Sequence, residues 1–146
     1  MMFSLLAFSG CSEPYEFTEG DFELTIEVDR DTFAVGEIIT ITATLKNLSG
    51  RSHRITYWRS LMFANIPGTI GPAEVYFCSR PQFKIFERDD VIQKRVCQEG
   101  AFYKSGTYEL TVVTRFVFGR SWRSSCRIGE AIRIYSNTIN LYVYEN

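Results

Sequence analysis

The chain has 146 residues, 45% of them hydrophobic and 15% aromatic, and a formal net charge of −1. That length fits one domain with enough apolar material for a packed interior. The near-neutral charge gives no ground for a nucleic-acid partner. A single histidine, with no Cys-x-x-Cys spacing, argues against a zinc site and against a nucleophile–base pair.

In chain order, Met1 to Cys11 runs apolar, then small, then cysteine. The phrase Phe8-Ser9-Gly10-Cys11 resembles the lipobox of bacterial lipoproteins, with Ser9 and Gly10 as the narrow side chains a signal peptidase requires. That resemblance implies a signal segment over 1–10, lipidation at Cys11, and a bacterial cell-envelope address held by a membrane anchor. The apolar run is too short to span a bilayer as a helix. Residues 11–20 follow as a tether: Ser12 to Gly20 is acidic, contains Pro14 and Gly20, and shows no period. The globular domain then occupies 21–146, just off a membrane surface.

Within that domain, Phe22, Leu24, Ile26 and Val28 alternate with Glu23, Thr25, Glu27 and Asp29, which predicts a first strand with one wet face. Asp29-Arg30-Asp31 makes a turn, and Thr32 to Glu37 leads into the next strand. From Gly36 to Asn47, Ile39, Ile41, Ala43 and Leu45 alternate with Thr40, Thr42, Thr44 and Lys46. This β-branched, strictly alternating run predicts the central strand of a sheet. Arg51 to Arg54 reads as a polar turn with His53 solvated in it. Ile55 and Tyr57, alternating with Thr56 and Trp58, predict a third strand, which Leu61 to Ala64 continues across the fold.

Asn65 to Pro72 is a loop rich in Gly and Pro. Val75 to Cys78, Phe83 to Phe86 and Val91 to Cys97 are short strand candidates, with Pro81 marking an edge or turn. Leu110, Val112, Thr114, Phe116 and Phe118 alternate with Glu109, Thr111, Val113, Arg115 and Val117 in a long late strand. Gly119 to Gly129 is an interruption rich in Ser and Arg. Ala131 to Tyr135 is strand-like, Ser136-Asn137 is a tight turn or bulge, and Thr138 to Tyr144 closes the domain with Ile139, Leu141 and Val143 on one face.

No stretch carries a helical period, so the fold class is all-β. The stretch Phe33 to Asn47, with its Val-Gly-Glu turn, resembles the opening two strands of bacterial immunoglobulin-like domains. Gly106-Thr107-Tyr108, entering the long strand, resembles the tyrosine corner of sandwich folds, where the hydroxyl bonds back to upstream backbone. These resemblances imply an immunoglobulin-like antiparallel β-sandwich of about seven to nine strands.

With Cys11 lipidated, Cys78, Cys97 and Cys126 remain, and an exported chain forms one disulfide among them. Cys78 with Cys97 is the favoured pairing and Cys97 with Cys126 the alternative. Such a bond would contribute roughly 3 kcal/mol.

The inventory of bases and metal ligands does not point to catalysis, and no cofactor or metal is expected. Binding rests on two features. The first is a set of aromatics on faces expected to be wet: Trp58, Trp122, Tyr142 and Tyr144. The second is the loop carrying Arg120, Arg123 and Arg127 around Trp122. The expected role is an envelope-tethered interaction or structural module whose partner is an envelope protein or glycan. Two other roles compete. One is a proteinase inhibitor of the bacterial sandwich type, acting through Asn65 to Pro72 or Gly119 to Gly129. The other is a carbohydrate-binding module.

Overall fold

The computed structural model describes residues 18, 20–58, 60–67, 81–98, 102–118 and 131–145, except for the side chains of Trp58 and Gln98. Ten strands make up these residues: β1 (Phe22–Val28), β2 (Thr32–Ala34), β3 (Ile39–Asn47), β4 (His53–Trp58), β5 (Met62–Asn65), β6 (Pro81–Phe86), β7 (Val91–Gln98), β8 (Gly106–Phe118), β9 (Ile132–Tyr135) and β10 (Ile139–Tyr144). They form two sheets and no closed barrel, a β-sandwich.

The first sheet has the order β1-β3-β7, antiparallel throughout, so β3 is its central strand. Ile39, Ile41, Ala43 and Leu45 are completely buried, and the threonines between them face outward. Burial of each Ile or Leu contributes roughly 1.5–3 kcal/mol, which fixes which face of β3 turns inward.

The second sheet is built around β8. On one side of it, β10 pairs with Gly106 to Leu110 and β9 with Val113 to Phe116. On the other, β5 pairs with Thr111 to Thr114 and β4 with Val117 and Phe118. Each flank is therefore one line of strand broken in two. At the first break, Ser136 N–H donates to the Val112 carbonyl and Val112 N–H donates to Ser136 Oγ, both at 2.9 Å, so the ladder survives the bulge. At the second, the Thr114 hydroxyl donates to the Leu61 carbonyl at 2.7 Å.

Three expectations change. Leu61 to Ala64 does not carry β4 across to the other sheet, because β5 stays beside the middle of β8. Thr32 to Ala34 is a strand in its own right, paired in parallel with β10, so the pairing is not wholly antiparallel. Ten strands replace seven to nine because both flanks of β8 are interrupted and β2 is added. β6 begins at Pro81 and lies at the end of the second sheet, where a residue without an N–H is tolerated.

Polar side chains tie the ends together. Asn47 is 1% exposed at the end of β3. Its amide donates to the carbonyls of Arg51 (2.7 Å), Phe86 (3.3 Å) and Glu87 (2.7 Å). Its oxygen accepts from Ser49 N–H (3.1 Å) and the Ser49 hydroxyl (2.7 Å). One side chain thus joins the turn after β3 to the end of β6 in the opposite sheet. At the same end, the Phe22 ring lies 5.6 Å from Phe86 and 5.5 Å from Phe116. On the far side, Asn137 in the bulge receives Ile26 N–H at 2.8 Å and donates to the Ile26 carbonyl at 3.3 Å. Tyr108 donates from its hydroxyl to the Lys104 carbonyl at 2.8 Å, and its ring packs on Phe102 at 4.5 Å. This is the upstream backbone bond expected of Tyr108.

Candidate functional site

Register decides which side chains leave the second sheet outward. Leu141 and Val143 of β10 are buried, so Asn140, Tyr142 and Tyr144 face away from the core. Tyr142 is 56% exposed and Tyr144 40% exposed. They stand two residues apart, about 7 Å along the strand. Tyr142 lies between Thr107 of β8 and Thr32 of β2, and Asn140 lies beside the exposed Glu109. Tyr135 of β9 joins the same face, opposite Val113 and 57% exposed. From the level of Thr107 to that of Val113 is roughly 20 Å along β8. Tyr135 was not among the expected binding aromatics; its outward orientation depends on the bulge, which breaks the alternation that would place it.

Of the other expected binding residues, only the backbone of Trp58 is described. Thr56, two residues before Trp58, pairs with Val117, roughly 34 Å along β8 from Thr107. Trp58 therefore sits at the opposite end of the second sheet from Tyr142. Trp122, Arg120, Arg123 and Arg127 lie outside the described residues, as does Cys11. So do most of the two loops considered for proteinase inhibition.

Cys97 lies on β7, exposed, with a free thiol. The pairing expected with Cys78, and the alternative with Cys126, is therefore not formed in this structure; both of those cysteines lie outside the described residues. Among the described residues no group of three or more His, Cys, Asp or Glu side chains converges as a metal site would.

His53 is not the solvated turn residue expected from its neighbours. It opens β4 with its ring 5.6 Å from Phe22 and 4.9 Å from Phe118, and Nε2 lies 2.7 Å from Ser49 Oγ. Burial lowers its pKa below the ordinary histidine value; Asp21 opposes that shift and Arg51 reinforces it. The ring is a packed structural element. Glu37 in the turn before β3 accepts from Ala34 N–H at 2.9 Å and pairs with Arg30. Those two contacts hold its carboxyl below the usual range.

The outer face of the first sheet carries a shallow depression of about 430 Å³, lined by Glu27, Val28, Asp29, Thr40, Thr42 and Arg95. Its mixed charges and open shape favour no particular ligand. The outward tyrosine line on β9 and β10 is the better-defined candidate for binding.

Neither a protein-family model nor a curated protein sequence matches the chain. Among solved structures, the chain is similar to Spo0M, the sporulation control protein of Bacillus subtilis, at 11% identity and a TM-score of 0.45. The match covers 88% of this chain and 51% of that one, so the chain spans about half the length of its structural neighbour.

Proposed function

We propose that the protein is an envelope-tethered, non-catalytic interaction module: an immunoglobulin-like domain on a lipidated Cys11 that presents the outward face of its larger sheet to a partner. The observation that supports the binding half is the pair Tyr142 and Tyr144, exposed side by side on β10 while Leu141 and Val143 fill the core beneath them. Large aromatic surface left in water on a flat sheet face suits contact with another molecule. The lipobox-like phrase at Phe8 to Cys11 supports the address.

Two measurements test this. Radiolabelled palmitate should enter the wild-type protein and be lost in Cys11→Ala; equal labelling of both would remove the anchor. For the binding face, purified cell-wall material is sedimented with the domain and with the Tyr142→Ala/Tyr144→Ala double variant. Co-sedimentation that falls at least tenfold in the variant is expected, and equal partition of the two would remove the face.

One observation favours a glycan as the partner. Asn140, Glu109 and Thr107 flank the tyrosines with hydrogen-bonding groups, the combination of stacking plane and polar fringe that sugar rings use.

A further inference from the structure

The two edges of the three-stranded sheet are treated differently. In β1, Asn47 and Leu48 set the phase: Leu48 N–H donates to the Asp21 carbonyl at 2.8 Å, so Phe22, Leu24 and Ile26 turn their backbone groups away from β3. At Ile26 the Asn137 amide meets both of those groups, standing where a neighbouring strand's peptide would be. That edge is closed at its middle to further pairing.

The edge formed by β7 lies near β5 of the opposite sheet, and among the described residues no side chain clasps its backbone as Asn137 clasps Ile26. Asn47 N–H donates to the Asp90 carbonyl at 3.0 Å, which fixes the alternation along the β3–β7 ladder. Ile92, Lys94 and Val96 therefore bond β3. Val91, Gln93, Arg95 and Cys97 point their N–H and C=O groups away from it. Among the described residues no backbone partner meets these four on the outer side, and all four are exposed. The strand is eight residues long and begins with Val91, 54% exposed.

Charge selects what such an edge takes. The three ion pairs among the described residues are Arg30–Glu37, Lys46–Glu23 and Arg88–Asp89. Lys94 and Arg95 enter none of them. The Lys94 ammonium lies 5.8 Å from the centre of the Tyr57 ring, and Arg95 lines the outer-face depression with Thr40, Thr42, Glu27 and Asp29, the two carboxylates lying toward the β1 side and in no ion pair with it. A second copy paired symmetrically at Lys94 would set one lysine directly against the other, which costs free energy.

We infer that the free edge of β7 accepts an extended acidic peptide as a fourth strand, with carboxylates placed beside Lys94 and Arg95. Main-chain bonds to Val91, Gln93, Arg95 and Cys97 supply the affinity, and the two cations supply the preference.

The probe is a fluorescein-labelled nine-residue peptide of valine and threonine around a central Glu-Glu pair, which offers one carboxylate to each face of the added strand, read by anisotropy against the domain in the Cys97→Ser background. Saturable binding is expected. It should weaken at least tenfold when the peptide is N-methylated at alternate residues, and severalfold in 0.5 M salt. Gln93→Pro removes an outward N–H without touching the β3 ladder, and should reduce binding at least tenfold. Lys94→Glu/Arg95→Glu should lose the glutamate peptide and gain its lysine counterpart. If Gln93→Pro does not fold, the methylated peptide on the unaltered chain decides the matter alone. No saturable binding, or binding indifferent to methylation, overturns the inference. So does a dimer in sedimentation that Gln93→Pro dissolves, because the edge would then belong to a second copy. The tyrosine variants of β10 should leave this binding unchanged, which separates it from the face proposed above.

Discussion

Replacing Asn47 by alanine should be among the most damaging single polar changes in the domain. The side chain is 1% exposed and makes five hydrogen bonds across two turns and two sheets. Of its three carbonyl partners, Phe86 O is the buried one, and stranding it costs about 1–3 kcal/mol. The bonds to Arg51, Glu87 and Ser49 end in turns that water reaches, so their joint loss adds about 1–2 kcal/mol. The expected total is about 2–5 kcal/mol, a large share of the 5–15 kcal/mol typical of a domain. Urea unfolding followed by tryptophan fluorescence should show a lower midpoint at an unchanged slope. Asn47→Asp should be at least as harmful at neutral pH, because it replaces two donors with a carboxylate facing three carbonyls. A loss below about 1 kcal/mol for Asn47→Ala would refute the claim that this side chain joins the sheets.

Three further outcomes are expected. Tyr108→Phe removes the bond to Lys104 but keeps the ring on Phe102, so it should cost about 0.5–1.5 kcal/mol in the same urea assay. Asn137→Ala should cost about 1 kcal/mol and, by uncovering Ile26, raise the rate of light scattering at high concentration. The third concerns His53, whose folded pKa lies below its ordinary value because of burial. The unfolded chain therefore binds the proton more readily, and stability should fall as pH drops from about 7 through the ordinary histidine range. His53→Gln should flatten that part of the unfolding midpoint against pH; an unchanged slope would show that His53 is not its source.

The strands with one wet and one dry face were readable from the residues. Those are β1, β3 and β8, whose alternation of Ile, Leu, Val and Phe with Glu, Thr and Arg matches their burial. β4 and β5 were harder. In β4, Ile55 and Thr56 are both buried, so adjacent residues share an environment; β5 alternates in burial but is four residues long and follows the buried Leu61, which blurs its start. β2 is three residues long, too short to show one, and its parallel partner lies at the other end of the chain. For the candidate face, Tyr142 and Tyr144 followed from alternation with Leu141 and Val143. Tyr135 did not, because the bulge at Ser136 and Asn137 shifts the phase. The roles of Asn47 and Asn137 were hidden for another reason: each is defined by carbonyls and amides distant in the chain and close in space.

Asn137 meets Ile26 across 111 positions of chain. That distance sets a schedule for biosynthesis. During translation β1 and β3 can pair early, yet the clasp on β1 and the partner of β2 emerge only with the final strands. A nascent chain stalled before Asn137 would expose an unguarded strand margin for as long as the pause lasts, so a chaperone that shields such margins should engage this polypeptide until synthesis is complete.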